Sequence, residues 1–283
     1  PAVPTALCKA LLKVLDTQPH AKGTLASLLA LNTQLAARAI RLANTTANRS
    51  VATVLTPHQA ATILSPNALR GMLLSLSLQP QLQQQKEHFG IDYLSQNNII
   101  TAWLARDLAL WLGHSRPDVC MTAGLLCDIG QLPMASYAGP MYATMQYFAK
   151  QQGILSPHAE MGVLGVTHSQ LGAHIAQQQK LPALHQAIIQ YHHCPSKAHG
   201  KLPAVVFKVL VVVYIANTLS PAWYAYTAQN MATPPLLTTA LQSVGIRASA
   251  QELVQKVYDL QADYPKALQS AIETVNTLCG HSL

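Results

Sequence analysis

The sequence predicts an all-α protein built as a bundle of two helical lobes. Three observations lead there. Apolar residues recur at three- and four-residue spacing along most of the chain, while strand-type alternation is hard to find. Helix-start signals punctuate the pattern, in several places a polar cap with a proline at or near the first helical position. Half of the 283 residues are hydrophobic and only 10% are charged, which suits a large buried core and is the reverse of a disordered chain.

Pro4 to Leu15 places Leu7, Leu11, Leu12 and Leu15 on one face, and Thr17 to Gly23 breaks the pattern. A second helix is expected over Thr24 to Leu31. Asn32 and Thr33 cap a third, which carries Leu35, Ala39 and Leu42 on one face with Arg38 and Arg41 beside it. Asn44 to Ser50 is a polar break. Thr56-Pro57 opens a short helix to Leu64, and Ser65-Pro66 opens another through Leu78. Pro80 to Phe89, containing the Gln-rich run Gln81 to Gln85, is polar and reads as the boundary between the lobes. Beyond it, Leu94 to Leu112 is amphipathic, and a helix from Ser115 and Pro117 runs into Cys127-Asp128 and is closed by Gly130. Helices over His168 to Gln179, Pro182 to His193 and Pro203 to Leu219 follow, then two more over Pro235 to Val244 and Ser249 to Leu278. The expected organisation is therefore an N-terminal lobe of residues 1–80, a second lobe of 81–220 and a C-terminal extension of 221–283.

Several function classes are disfavoured. The net charge of +7 invites a nucleic-acid reading, but the 18 Lys and Arg are scattered singly, and three Phe and three Trp give few stacking groups. Nucleic acid is not the expected partner. The best candidate for a membrane span, Pro203 to Asn217, is shorter than about 20 residues and carries Lys208. Cys8, Cys120, Cys127, Cys194 and Cys279 form no CxxC pair and no even framework, which fits a reducing compartment. No basic, then apolar, then small-residue leader is visible, so a cytoplasmic location is expected. Gly-rich phosphate loops, GxSxG elbows and HExxH helices are also absent.

The residues left to carry chemistry are few. Asp128 ends an apolar helix, where a carboxylate is either a metal ligand or a cap for nearby backbone donors. Ile188, Ile189 and His192 fall at i, i+1 and i+4, and His193 lies four residues after Ile189, so at least one imidazole belongs on or beside the core stripe. His168 opens a helix whose Leu171, Gly172 and Ile175 form the expected buried face. Asn217 continues the row Val206, Leu210, Val213. Polar groups aimed inward from several helices form a metal site inside a bundle or a satisfied hydrogen-bond network, and spacing alone leaves both open.

At these residues a family resemblance emerges. The opening Pro1-Ala2-Val3-Pro4, the segment Leu35 to Asn44 reading LAARAIRLAN, and Gly124-Leu125-Leu126-Cys127-Asp128-Ile129-Gly130 together resemble the HDOD domain. Val166 to Ala173, Leu181-Pro182 and Ala187 to Pro195 reading AIIQYHHCP extend the resemblance over roughly residues 1–220. HDOD is an all-helical output domain of bacterial signalling proteins, related to HD metal phosphohydrolases. The resemblance implies that the first metal-binding His of the hydrolases falls at Asn97, the His of the His-Asp pair at Cys127, its partner at Asp128, and the final Asp at Asn217. His168, His192 and His193 resemble the additional histidines of HD-GYP relatives.

Asn and a buried thiol are poor substitutes for carboxylate and imidazole around Mn, Fe or Mg. The resemblance therefore implies a degenerate site and a signalling module that works by binding a protein or ligand, with no cofactor required. A residual divalent cation (Fe, Mn, Zn or Ni) on Asp128, His168, His192 and His193 is the remaining metal reading. The alternative function is a metal-dependent phosphohydrolase acting on a nucleotide or cyclic dinucleotide through the same residues. Few surface charges leave apolar patches that favour a protein partner or a homodimer.

Overall fold

The structure, a computed structural model, describes residues 5–18, 20–46, 53–77, 91–220, 241–242, 244–249 and 251–260. The expected lobe boundary over Pro80 to Phe89, the opening Pro1 to Pro4, and most of the helices expected over Pro235 to Val244 and Ser249 to Leu278 lie outside these residues. Among the described residues there is no strand.

Five helices build the first lobe: α1 (Thr5–Thr17), α2 (Lys22–Leu29), α3 (Thr33–Thr46), α4 (Pro57–Ile63) and α5 (Pro66–Ser77). The start signals operate as their chemistry requires. The Asn32 side chain accepts from the backbone N–H of Gln34 and Leu35. At α4 a full capping box forms, with Gln59 N–H donating to Thr56 and the Gln59 side chain accepting from Thr56 N–H. Leu7, Leu11, Leu15, Leu29, Leu35 and Leu73 lie in one buried cluster drawn from these helices.

The second lobe contains α6 (Ile91–Trp111), α7 (Pro117–Leu126), α8 (Gln131–Gln151), α9 (Ser156–Leu164), α10 (His168–Gln178), α11 (Ala183–Tyr191) and α12 (Ala204–Leu219). α12 is apolar nearly all round because it runs through the core, where Leu210, Val213 and Ile215 are fully buried. Leu241, Leu253 and Val257 pack into the same cluster as α6, α7 and α12. Pro117–Ala149 is long and apolar enough to cross a membrane by length and composition alone, but 78% of that window is buried inside the fold. Among the described residues Cys120, Cys127 and Cys194 are free thiols.

α3 joins the lobes. Its Ala36 packs on Ala102 and Leu125, its Ala37 and Ile40 pack against Ile129 and Ile189, and Thr33 donates to the Leu125 carbonyl at 3.2 Å. His185 adds a second link, with Nε2 2.7 Å from the Leu55 carbonyl oxygen.

Two helices, α8 and α9, occupy a segment for which periodicity gave no expectation. α8 breaks at Gly139, whose φ of 51° and ψ of −123° are non-helical, and Pro140 follows. On either side of that break Tyr137, Met141, Tyr147 and Phe148 are exposed, so hydrophobicity does not mark the buried face. α10 buries Gly172 as expected but is rotated from the expected face: His168, Ser169 and Ala176 are buried with it, whereas Leu171 and Ile175 are half-buried. The reason is close helix contact. A Cβ on Gly130 would overlap the His168 carbonyl oxygen, and one on Gly172 would lie 2.8 Å from Ile189 Cγ2, so α10 meets the end of α7 through its small residues.

Candidate functional site

The end of α7, the start of α10 and the end of α11 converge on one point in the second lobe. Asp128 Oδ1 lies 3.1 Å from His168 Nε2, 3.1 Å from His192 Nε2 and 4.0 Å from His193 Nε2. The two nitrogens His168 Nε2 and His193 Nε2 are 2.8 Å apart. Asp128, His168 and His192 are buried, and His193, 24% exposed, is the member that reaches the surface.

The capping role considered for Asp128 is not the one seen, since the hydrogen bonds found on its carboxylate come from side chains. Asn217 on α12 donates Nδ2 to Oδ2 at 2.7 Å, and Gln131 donates Nε2 to Oδ1 at 3.1 Å. Burial pushes this carboxyl up, but the hydrogen bonds from His168 and His192 outweigh burial and hold it well below the ordinary range. Asp128 is therefore an anion in the interior, stabilised by the groups around it.

Each imidazole is oriented from behind. His192 Nδ1 donates to the Ile189 carbonyl at 2.9 Å, leaving Nε2 for Asp128. His168 Nδ1 lies 2.8 and 2.7 Å from the two oxygens of Glu160 on α9. Burial alone lowers the His168 basicity, but Asp128 and Glu160 on either side raise it to about 9. Burial, reinforced by the neighbouring His192 and His168, drives His193 well below the usual value and keeps it neutral.

Sequence reasoning missed Glu160. It is fully buried, and its carboxylate also accepts from Tyr142 at 3.1 Å, Ser156 at 3.0 Å and Gln146 at 3.2 Å. Burial raises its carboxyl, yet the bond from His168 outweighs this and holds it low. The available signal was scarcity: with 11 Asp and Glu in 283 residues, each acid in an apolar setting is a candidate.

Cys127 is buried and donates its thiol to the Gly124 carbonyl at 3.2 Å, while Asn217 Nδ2 lies 3.7 Å from its sulfur. Burial, with Asp128 alongside, pushes the thiol well above its usual value, so thiolate ligation is disfavoured. Asn97 is half-buried on α6, and the hydrogen bonds that assemble the cluster do not involve it. Its neighbour Asn98 is the buried amide, donating to Thr33 Oγ1 at 3.4 Å.

The donor atoms of Asp128, His168, His192 and His193 all lie within 4.8 Å of one another. One anionic oxygen and three imidazole nitrogens suit a single Zn, Fe, Mn or Ni ion. They do not suit a pair of ions, because Asn217 turns an N–H toward the shared carboxylate and Cys127 keeps its proton.

Residues 1–195 match the HDOD domain family. The match spans α1 to α11, with Asp128, His168, His192 and His193, and ends before α12 and Asn217. Among solved structures, the chain is similar to the MmoQ response regulator of Methylococcus capsulatus str. Bath, at 20% identity and a TM-score of 0.63 over 89% of this chain and 96% of that one. It is also similar to a virulence factor of Campylobacter jejuni subsp. jejuni, at 18% identity and a TM-score of 0.62 over 91% of this chain and 90% of that one. At these identities the two structures show the fold alone. No curated protein matches the chain.

Proposed function

The chain belongs to the HDOD family, and from that premise we propose that it is a non-catalytic output module of bacterial signal transduction that acts by binding. The observation that carries this reading is the bond from Asn217 to Asp128. An amide donor occupies the carboxylate oxygen that a second cation of a two-metal hydrolase would need, and the adjacent Cys127 is a protonated thiol. What remains is a site for at most one divalent cation on Asp128, His168, His192 and His193. An ion held there would supply a Lewis-acidic positive charge in place of the protons that now bridge these groups.

Binding of a protein is supported by the surface. Tyr137, Met141, Tyr147 and Phe148 on α8, and Met161 and Val163 on α9, are exposed large apolar residues, and the Tyr147 and Phe148 rings stand edge to face 5.7 Å apart, exposed apolar surface of the kind that a protein contact covers. One structural neighbour is a response regulator, which is consistent with a signalling partner. The free thiols of Cys120, Cys127 and Cys194 suit a cytoplasmic setting. We place the lobes at residues 1–80 and 81–220, with 221–283 as an extension.

The second reading, a metal-dependent phosphohydrolase, is favoured by the convergence of the same four side chains. One experiment separates the two. Protein grown in Zn-, Fe- or Mn-supplemented medium is analysed for metal and incubated with nucleotides and cyclic dinucleotides. The binding-module reading expects no more than about one equivalent of metal and no turnover. Hydrolysis that disappears in Asp128→Ala overturns it.

A further inference from the structure

Glu160 is a buried carboxylate that the binding-module reading does not use. It stands outside the group of four, one helix behind it. Both of its oxygens are engaged: Oε2 accepts from the His168 backbone N–H at 2.7 Å, Oε1 accepts from Tyr142, Ser156 and Gln146, and the two together embrace His168 Nδ1. So many donors leave no lone pair well placed for a cation, so Glu160 is not itself a ligand.

We propose that Glu160 is a positioning residue that holds the hydrogen of His168 on Nδ1 and thereby commits Nε2 to the Asp128–His193 side as a cation ligand. A carboxylate cannot donate, so the ring atom 2.7 and 2.8 Å from its oxygens must be the N–H. The other nitrogen then faces Asp128 Oδ1 at 3.1 Å and His193 Nε2 at 2.8 Å. The backbone bond from His168 to the same carboxylate fixes the ring and the first turn of α10 together. A carboxylate behind a ligating imidazole fixes its tautomer and raises its basicity, and loss of such a partner typically costs about 10- to 100-fold in metal affinity. This inference rests on the one-cation reading above, so its test includes a measurement made without metal.

The full chain, with ring nitrogens labelled by 15N-histidine, is compared with Glu160→Gln by NMR in the absence of metal and by titration with Zn2+ alone. In the wild type His168 is expected to keep its Nδ1 hydrogen both without metal, where Nε2 also donates to Asp128, and with Zn2+ bound through Nε2, and in Glu160→Gln its ring 15N shifts move while those of His192 stay in place. Zn2+ affinity falls by about 10- to 100-fold, with the far-UV circular dichroism unchanged. Unchanged His168 shifts, or unchanged Zn2+ affinity in a folded Glu160→Gln protein beside a loss in His168→Ala, overturn the role of Glu160 and leave the cation site standing. If the wild type takes up no Zn2+, the cation reading falls and the metal-free NMR comparison decides Glu160 alone. Should Glu160→Gln not fold, Tyr142→Phe serves instead. It removes one donor to the carboxylate and is expected to weaken Zn2+ binding by about threefold; no change in affinity or in the His168 shifts counts against the proposal.

Discussion

Asn217 and Asp128 come from helices almost ninety residues apart, and they meet through a 2.7 Å bond in which the amide donates to the carboxylate. The bond satisfies Asp128 Oδ2, while His168 and His192 on the other side hold the carboxylate ionised. Asn217→Asp would place a second carboxylate against the first, and two anions at hydrogen-bond distance cannot both stay ionised without a cation. Metal-free Asn217→Asp is expected to lose about 1–3 kcal/mol of stability at pH 7. Added Zn2+ or Mn2+ should raise its melting temperature more than it raises that of the wild type. Thermal melts with and without each ion check both statements.

Removal of the other partner is the harsher change. Asp128→Ala leaves Asn217, Gln131, His168 and His192 without the acceptor they share, and the His168 charge loses one of its two carboxylates. Breaking a buried ion pair from one side costs about 3–5 kcal/mol. Urea denaturation at pH 7 is the measurement, and Asp128→Asn should fall between alanine and wild type.

The approach of α10 to the end of α7 depends on Gly130. A Cβ there would overlap the His168 carbonyl and lie 2.7 Å from the Gly172 nitrogen, both of them backbone. Gly130→Ala is therefore expected to cost at least about 3 kcal/mol and to separate His168 from Asp128. Gly162, inside α9, has open space around its Cβ position, and Gly162→Ala should stabilise by roughly 0.5–1 kcal/mol. Chemical denaturation of the two variants side by side tests the contrast.

His185 links the lobes as a neutral imidazole. Burial lowers its value to about 4, the bond to Leu55 opposing burial only in part. Its folded value lies below the unfolded one of about 6.5, so the unfolded chain takes up the proton first. The stability it contributes is full above about pH 6.5 and is lost as pH falls toward 4, by about 2 kcal/mol at pH 5. Unfolding free energies measured between pH 7.5 and 5 should show this loss in the wild type, and a smaller slope in His185→Gln.

The exposed apolar residues of α8 offer a separable test. Tyr137 is 92% exposed and Phe148 58%, so Tyr137→Ser and Phe148→Ser should change stability by less than about 0.5 kcal/mol. If these side chains bind a partner or a second copy, the double variant should lose that association. Light scattering across a concentration series and co-purification with and without the substitutions report it.

Helices with a polar cap and one apolar stripe were legible from the chain, as α3 illustrates, and α4 and α5 add a proline at the start. Asp128, His168 and the pair His192, His193 were legible as candidates because each sits in or beside an apolar helical run. α8 and α9 were not, because apolar side chains lie on both their buried and exposed faces and Gly139-Pro140 interrupts the period. Glu160 went with them. Nor does spacing distinguish the neighbours Asn97 and Asn98, which differ only in the direction that packing gives α6.

By itself the sequence determined the helical class, the helix starts, the family resemblance and the poverty of charge, all of which are local or compositional properties. Tertiary structure alone decided that Asp128 binds side chains rather than capping a helix, that Asn217 meets it as a donor, and that Glu160 stands behind His168. Those facts depend on contacts between helices far apart in the chain, set by the close approach at Gly130 and Gly172, and no periodicity within one helix encodes the direction of its neighbours.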